Sequence, residues 1–105
     1  MKIFRDFEGR SVRLSDERWN HIQHHVEMCG HMGDIARVLA VPERVVQSVS
    51  DPEAKLYYRY LFGTVVGDKY LCVVVKDRKG DAYVLTAYFT DAVKRGQLLW
   101  PVRLR

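Results

Sequence analysis

The chain has few of the residues that mark specialised architectures: two cysteines, three prolines and seven glycines among 105 residues. Two cysteines cannot build a disulfide framework, so we expect Cys29 and Cys72 to be free thiols in a reducing compartment. The apolar runs are far shorter than the ~20 residues of a membrane span. The start, MKIFRDFEGR, carries charges where a signal peptide has its apolar core. We expect a cytoplasmic protein without membrane contact.

Several enzyme motifs are missing as well. The sequence contains no phosphate-binding loop, dinucleotide fingerprint, GxSxG, CxxC or HExxH. We therefore expect no cofactor. The length, with 48% hydrophobic and 29% charged residues, predicts one globular domain over residues 1–105.

The charge balance favours a polyanionic partner. Lysine and arginine number 17 against 13 acidic residues, a net charge of +4, which permits RNA as a ligand. The last twelve positions contain no acid, and their basic residues are Lys94, Arg95, Arg103 and Arg105.

The first half of the sequence predicts a hairpin followed by helices. Residues 1–14 alternate around the turn EGR, and Ser15 is a favourable N-cap. The apolar residues Trp19, Ile22 and Val26 predict a helix from Asp16 to Met28. A second helix is expected over Ile35–Leu39, capped by Asp34. The segment PERVVQSV fits either a helical turn or an edge strand.

The second half predicts strands. The runs LYYRYLF, KYLCVVVK and AYVLTAYF are rich in aromatic and β-branched residues, and VGD and DRKGD between them favour tight turns. We expect a three-stranded antiparallel meander that the N-terminal hairpin joins at an edge. The stretch GQLLWPVRL is either an edge strand or a loop, because Pro101 restricts pairing. The predicted class is α+β, with a hairpin and two or three helices packed on a twisted antiparallel sheet.

All four histidines lie between positions 21 and 31. On a helix, His21 and His25 are side by side and His24 points to solvent. A general acid/base pair is one interpretation. A zinc site, with Cys29 or His31 joining His21 and His25, is the second. The solvated face of an ordinary helix is the third.

Strand alternation provides another candidate group. One face of each strand is apolar and is expected to meet the helices, whereas the other is expected to carry Arg59, Lys76, Thr86 and Tyr88. Cations and hydroxyls on an open sheet suit a phosphodiester, and tyrosines can stack an unpaired base. An ordinary solvated sheet face is an equal alternative.

The ordered segments RLSDERWNHIQHHVEM, VPERVVQS, YYRY, KYLCVVVK and YVLTAYFTD resemble the phage-type branch of the barnase–EndoU–colicin–RelE-like (BECR) nuclease superfamily over residues 12–90. The resemblance implies a BECR/RelE-like fold. It further implies a metal-independent endoribonuclease, a toxin or phage-related domain, that uses the RNA 2′-hydroxyl as nucleophile and leaves a cyclic phosphate. An antitoxin or immunity protein is the implied protein partner.

The resemblance also implies site residues. His25 matches a general acid or base, with Arg59 and Lys76 on the phosphate and Thr86 orienting it. His21 and Tyr88 complete the implied catalytic set. Val26 stands where the family pattern has proline. A non-catalytic RNA- or protein-binding module of the same fold, and a zinc-binding small protein, are the alternative functions.

Overall fold

The structure is a computed structural model and describes residues 1–102. Within residues 1–102, two helices and seven strands follow one another, with a short 3-10 turn at Val26–Met28 between the helices. In chain order the elements are β1 Lys2–Arg5, β2 Ser11–Leu14, α1 Asp16–Gln23, α2 Met32–Ala40, β3 Arg44–Gln47, β4 Ala54–Thr64, β5 Gly67–Arg78, β6 Asp81–Thr90 and β7 Leu98–Trp100. Neither the eight-residue α1 nor the nine-residue α2 has the length or hydropathy to span a bilayer.

The seven strands form one sheet in the order β1-β2-β6-β5-β4-β3-β7. The predicted meander β4-β5-β6 and its junction with the N-terminal hairpin are confirmed. However, β2 runs parallel to β6, so the sheet is mixed rather than antiparallel throughout. Strands joined by a tight turn must pair antiparallel. No such turn joins β2 to β6, which are far apart in the chain, so the sequence did not determine the direction of this pairing.

The first helix is shorter than its apolar pattern predicts. Its start is as expected, since the Ser15 hydroxyl accepts a 3.1 Å hydrogen bond from the backbone N–H of Arg18. The helix ends at Gln23, and the 3-10 turn that follows buries Met28 while leaving Val26 78% exposed. The expectation that Val26 continues the buried stripe is therefore wrong, because the break redirects the chain so that Met28 reaches the core.

The second helix begins earlier than predicted. Asp34 lies in its first turn instead of capping it, and its carboxylate is 2.7 Å from Nδ1 of His31. The predicted apolar positions Ile35, Val38 and Leu39 are buried, as expected.

The two segments that sequence left open are both strands. PERVVQSV contributes β3, which lies between β4 and β7 and is therefore interior rather than an edge. Its consecutive residues Val45 and Val46 are buried on opposite faces of the sheet, which explains the unbroken apolar pair. GQLLWPVRL contributes the edge strand β7 at Leu98–Trp100. The described part of the chain ends two residues later, at Val102.

Both helices pack on one face of the sheet, where the larger core cluster forms around Ile22, Ile35, Tyr57 and Val73. The opposite face, here called the open face, has a smaller cluster that includes Tyr58, Cys72 and Val74. A β-bulge shifts the register between Val74 and Val75. Because β6 has one extra residue at this bulge, the alternation of its side chains between the two faces changes there. Val84 therefore lies under the helices, whereas Thr86 and Tyr88 lie on the open face.

A buried carboxylate ties the first hairpin to the meander. Asp6 is only 5% exposed, and its Oδ2 accepts a 3.0 Å hydrogen bond from the hydroxyl of Tyr57. Its Oδ1 accepts from the backbone N–H groups of Glu8 and Arg10. The Arg10 guanidinium connects this carboxylate to Asp77 on β5. Because buried charges require such partners, the network fixes where the hairpin sits.

Residues 91–97, here called the crossover segment, traverse the open face. They join β6 to β7, which lie four inter-strand spacings apart in the sheet order, or about 19 Å. The eight steps from Thr90 to Leu98 reach at most about 29 Å when fully extended. The segment is held close to the sheet by hydrogen bonds from the Lys94 N–H to the Tyr58 hydroxyl, 3.1 Å, and from the Gln47 N–H to the Gln97 carbonyl, 2.8 Å.

We predict that Gly96→Ala destabilises this arrangement. A Cβ at Gly96 would lie 2.3 Å from the Gln47 carbonyl oxygen and 2.7 Å from Cγ1 of Val46, so the backbone must move. We expect a loss of about 1–3 kcal/mol in the free energy of unfolding by urea denaturation. Gly33→Ala is the matched control, because a Cβ there meets nothing within 4 Å and alanine favours α2. Equal stability of the two variants would contradict the close contact.

Candidate functional site

The sheet divides the predicted catalytic set. Arg59 pairs with Leu71 and lies on the helix-covered face, where its Nη1 donates a 2.6 Å hydrogen bond to the carbonyl of Val41 at the end of α2. Lys76, Thr86 and Tyr88 lie on the open face. The expectation that all four share one face is wrong. Arg59 and the core residue Tyr57 lie on the same face of β4. The half-buried guanidinium of Arg59 is tolerated there because it donates to a carbonyl at the end of α2 that has no partner within the helix.

The predicted histidine pair is not formed. His25 lies beyond the end of α1 in an extended conformation, with φ −82° and ψ 101°, so it is not one helical turn from His21. The ring of His21 instead lies 6.2 Å from that of His24. The Nδ1 of His25 is 3.8 Å from the carboxylate of Glu27, and the side chain is 66% exposed. The expected exposure of His24 is confirmed.

The proposed zinc ligands are not assembled either. Among residues 1–102, no group of three or more histidine, cysteine or acidic side chains is arranged to hold a metal ion. The ring of His31 packs edge-on against Phe89 and binds Asp34. Cys29 is exposed, with its Sγ 3.9 Å from the carbonyl oxygen of Gln23.

We predict that one thiol reacts and the other does not. Cys29 is exposed, whereas Cys72 is fully buried and its burial raises the pKa of its thiol. A thiol reagent should therefore label Cys29 alone in the native protein and both cysteines in urea. Zinc should leave the labelling rate of Cys29 unchanged, and the Cys29→Ser variant provides the unlabelled control. Protection of Cys29 by stoichiometric zinc would restore the metal hypothesis.

Two clefts lie on the open face, one on each side of the crossover segment. The first, about 490 Å³, is bounded by Arg44, the first residue of β3, and by Glu43 just before it. The second, about 400 Å³, has Thr86 and Tyr88 in its wall and Asp51 at its rim. Lys94 and Arg95 line both clefts. The crossover segment thus places two cations between two adjoining depressions, and the second cleft contains two of the predicted site residues.

The free charge at these clefts is positive. Within residues 1–102, the side chains of Arg44, Lys94 and Arg95 have no hydrogen-bond or ion-pair partner, in contrast to those of Arg10, Arg13, Lys69 and Lys76. Of the two acids that line the clefts, Asp51 is paired with Lys76, and Glu43 leaves one negative charge against these three cations. The Glu43 carboxylate accepts a hydrogen bond from the backbone N–H of Tyr60. Such unpaired cations around a depression favour an anionic ligand.

Asp51 is the acid of the second cleft, and its carboxylate lies 3.2 Å from Nζ of Lys76. The backbone N–H of Glu53 and the Lys76 ammonium hold the pKa of Asp51 below its ordinary value. Asp51 is therefore ionised at neutral pH. Its negative charge balances the positive charge of Lys76, a residue that the sequence had assigned to the phosphate.

Beneath the crossover segment lies a group of two phenols and a thiol: the buried Tyr58 and Cys72 and the half-buried Tyr88. Burial raises the pKa of Tyr58 to about 12. Burial, followed by the neighbouring Cys72, also raises the pKa of Tyr88. A phenol is neutral at physiological pH even at its ordinary pKa, and these raised pKa values make a phenolate at either position still rarer, so neither serves as a general base. The ring of Tyr88 lies 5.9 Å from Nζ of Lys94, a cation–π distance that positions this ammonium over the open face.

Comparison with known proteins identified no relative: no family model, curated protein or solved structure matches this chain. The cations that line the clefts were not among the predicted site residues. An acid-free stretch beginning at Lys94 was visible in the sequence, but its position over the sheet depends on the crossover. Nothing in the sequence distinguishes Arg44 from other exposed arginines.

Proposed function

We propose that this protein is a small RNA-binding domain of the metal-independent endoribonuclease type, which binds its substrate on the open face of the sheet. The observation that carries the proposal is the grouping of Arg44, Lys94 and Arg95 around two adjoining clefts, without ion-pair partners among the described residues. Phosphate groups are suitable ligands for lysine and arginine side chains arranged in this way.

The finer fold assignment, a BECR/RelE-like arrangement, belongs to this proposal. Two helices precede a long meander and cover one of its faces, which leaves the other face for a ligand. The toxin role, and with it an antitoxin or immunity protein as partner, rests on the sequence resemblance alone.

The cleavage step would follow the chemistry of metal-independent ribonucleases. The 2′-oxygen attacks phosphorus while its proton passes to a base; the bond from phosphorus to the 5′-oxygen breaks, and that oxygen takes a proton from water, which leaves a 2′,3′-cyclic phosphate and a free 5′-hydroxyl. Lys94 and Arg95 would stabilise the charge of the phosphorane. Asp51 is the carboxylate that lines the second cleft, and we propose it as the proton acceptor. None of the four histidines lines either cleft.

A non-catalytic RNA-binding module is the second candidate. The division of the predicted set by the sheet favours it, because Arg59 and the histidines lie away from the clefts that hold Thr86 and Tyr88. Ionised Asp51, with its lowered pKa and its Lys76 partner, is a weak base.

Binding is tested with a fluorescent single-stranded RNA in anisotropy titrations at several salt concentrations. The double variant Lys94→Gln/Arg95→Gln should bind at least about tenfold more weakly and lower the salt slope by about two. The variant Lys2→Gln/Arg37→Gln removes equal charge from exposed positions outside the clefts and should behave like the wild type. Equal losses in both variants would show that net charge alone attracts RNA, and would refute the site.

Cleavage is tested on the same RNA in the presence of a chelator. A product ending in a cyclic phosphate, reduced at least about tenfold in Asp51→Asn, would support the endoribonuclease. Binding without any cleavage would instead support the non-catalytic module. Cleavage lost in His21→Ala but retained in Asp51→Asn would transfer the active site to the helices.

A further inference from the structure

The hairpin β4–β5 extends the open face with a row of three aromatic rings: Tyr60, Phe62 and Tyr70. The ring of Tyr60 lies 5.1 Å from that of Phe62 and 4.9 Å from that of Tyr70, both edge-on. Tyr60 and Tyr70 are directly paired across the two strands. Phe62 is 78% exposed, which is costly for an apolar ring that has no ligand.

This aromatic row continues directly from the cationic clefts. Tyr58, whose hydroxyl accepts the hydrogen bond from Lys94, precedes Tyr60 by two positions on the same strand face, or about 7 Å. Arg44 pairs with Tyr58 on the neighbouring strand and lines the first cleft. Glu43, beside Arg44, accepts from the backbone of Tyr60. The cations and the rings thus form one continuous surface.

From this juxtaposition we infer that the protein takes unpaired nucleotides, with phosphates at Arg44, Lys94 and Arg95 and a base stacked on the Tyr60–Phe62–Tyr70 row. The inference rests on the proposed function and narrows its substrate class to single-stranded RNA. A duplex keeps its base faces stacked internally, so it offers no face to these rings. Stacking on aromatic side chains accepts any base, so the row confers preference for a single strand rather than for a sequence.

Charge complementarity favours a nucleic acid over an apolar protein surface as the occupant. The side chains of the three cations beside the row have no hydrogen-bond or ion-pair partner in the part of the chain that the structure describes. A nucleotide strand satisfies both halves of such a surface, because each unit has an anionic phosphate next to a π-face.

The test compares a short single-stranded uridine oligomer with an abasic ribose–phosphate oligomer of equal length and with a duplex RNA. The wild type should bind the uridine oligomer more tightly than the abasic one, by roughly five- to a hundredfold for one stacked base. Phe62→Leu keeps an apolar side chain but removes one of the three rings, so it should lower affinity for the uridine oligomer towards the abasic value and leave abasic binding unchanged. Val65→Ala, at the exposed tip of the same hairpin, is the matched control and should retain wild-type binding.

The outcomes separate this inference from the proposed function. Equal affinity of the wild type for the uridine and abasic oligomers, with the effect of Lys94→Gln/Arg95→Gln intact, would overturn stacking and leave RNA binding in place. Tighter binding of duplex than of uridine oligomer would do the same. Failure to bind any of the three RNAs would overturn both. Concentration-dependent self-association that Phe62→Leu abolishes, without RNA binding, would assign the row to a contact between protein copies.

Discussion

The path of residues 91–97 is the constraint on which the open face depends. These residues connect strands that are consecutive in the chain but four positions apart in the sheet. Hydrogen bonds to Tyr58 and Gln47 hold the segment directly on the sheet, and only a glycine permits this close approach where the segment passes β3 at Gly96. The same path divides one sheet face into two clefts, and Lys94 and Arg95 line both of them.

The two sheet faces have different tasks. The helix-covered face contains the larger core, and the polar group buried beside it, Asp6 with Tyr57, is fully engaged in attaching the first hairpin. The open face has a smaller core whose phenols are neutral at physiological pH, and burial raises their pKa values further. That neutrality leaves the lysine and arginine side chains above as the free charges of this face. RNA binding is therefore proposed for the open face, and the helical face is assigned to stability.

Sequence predicted the elements better than their relative placement. The hairpin, the meander, the Ser15 cap and the α+β class follow from local patterns, which depend on neighbours in the chain. The sequence did not predict that Arg59 and Lys76 lie on opposite faces. Alternation shows which residues of one strand share a face, but packing decides which of the two faces the helices cover. Thr86 and Tyr88 were correctly assigned to the polar face although a bulge separates them from Val84. His25 is informative: it ends the helical path with the extended conformation that a proline would impose on the residue before it, although the next residue is Val26.

The most direct test of the account is a map of the RNA-binding surface by backbone amide chemical shifts. Titration of isotope-labelled protein with a short uridine oligomer should shift the amides of Arg44, Tyr58 to Phe62 and Lys94 to Arg95. Amides of α1 and α2 should remain unchanged, since the sheet lies between them and the open face. Shifts confined to α1 around His21 and His24 would contradict the account, because they would place the ligand on the helical face.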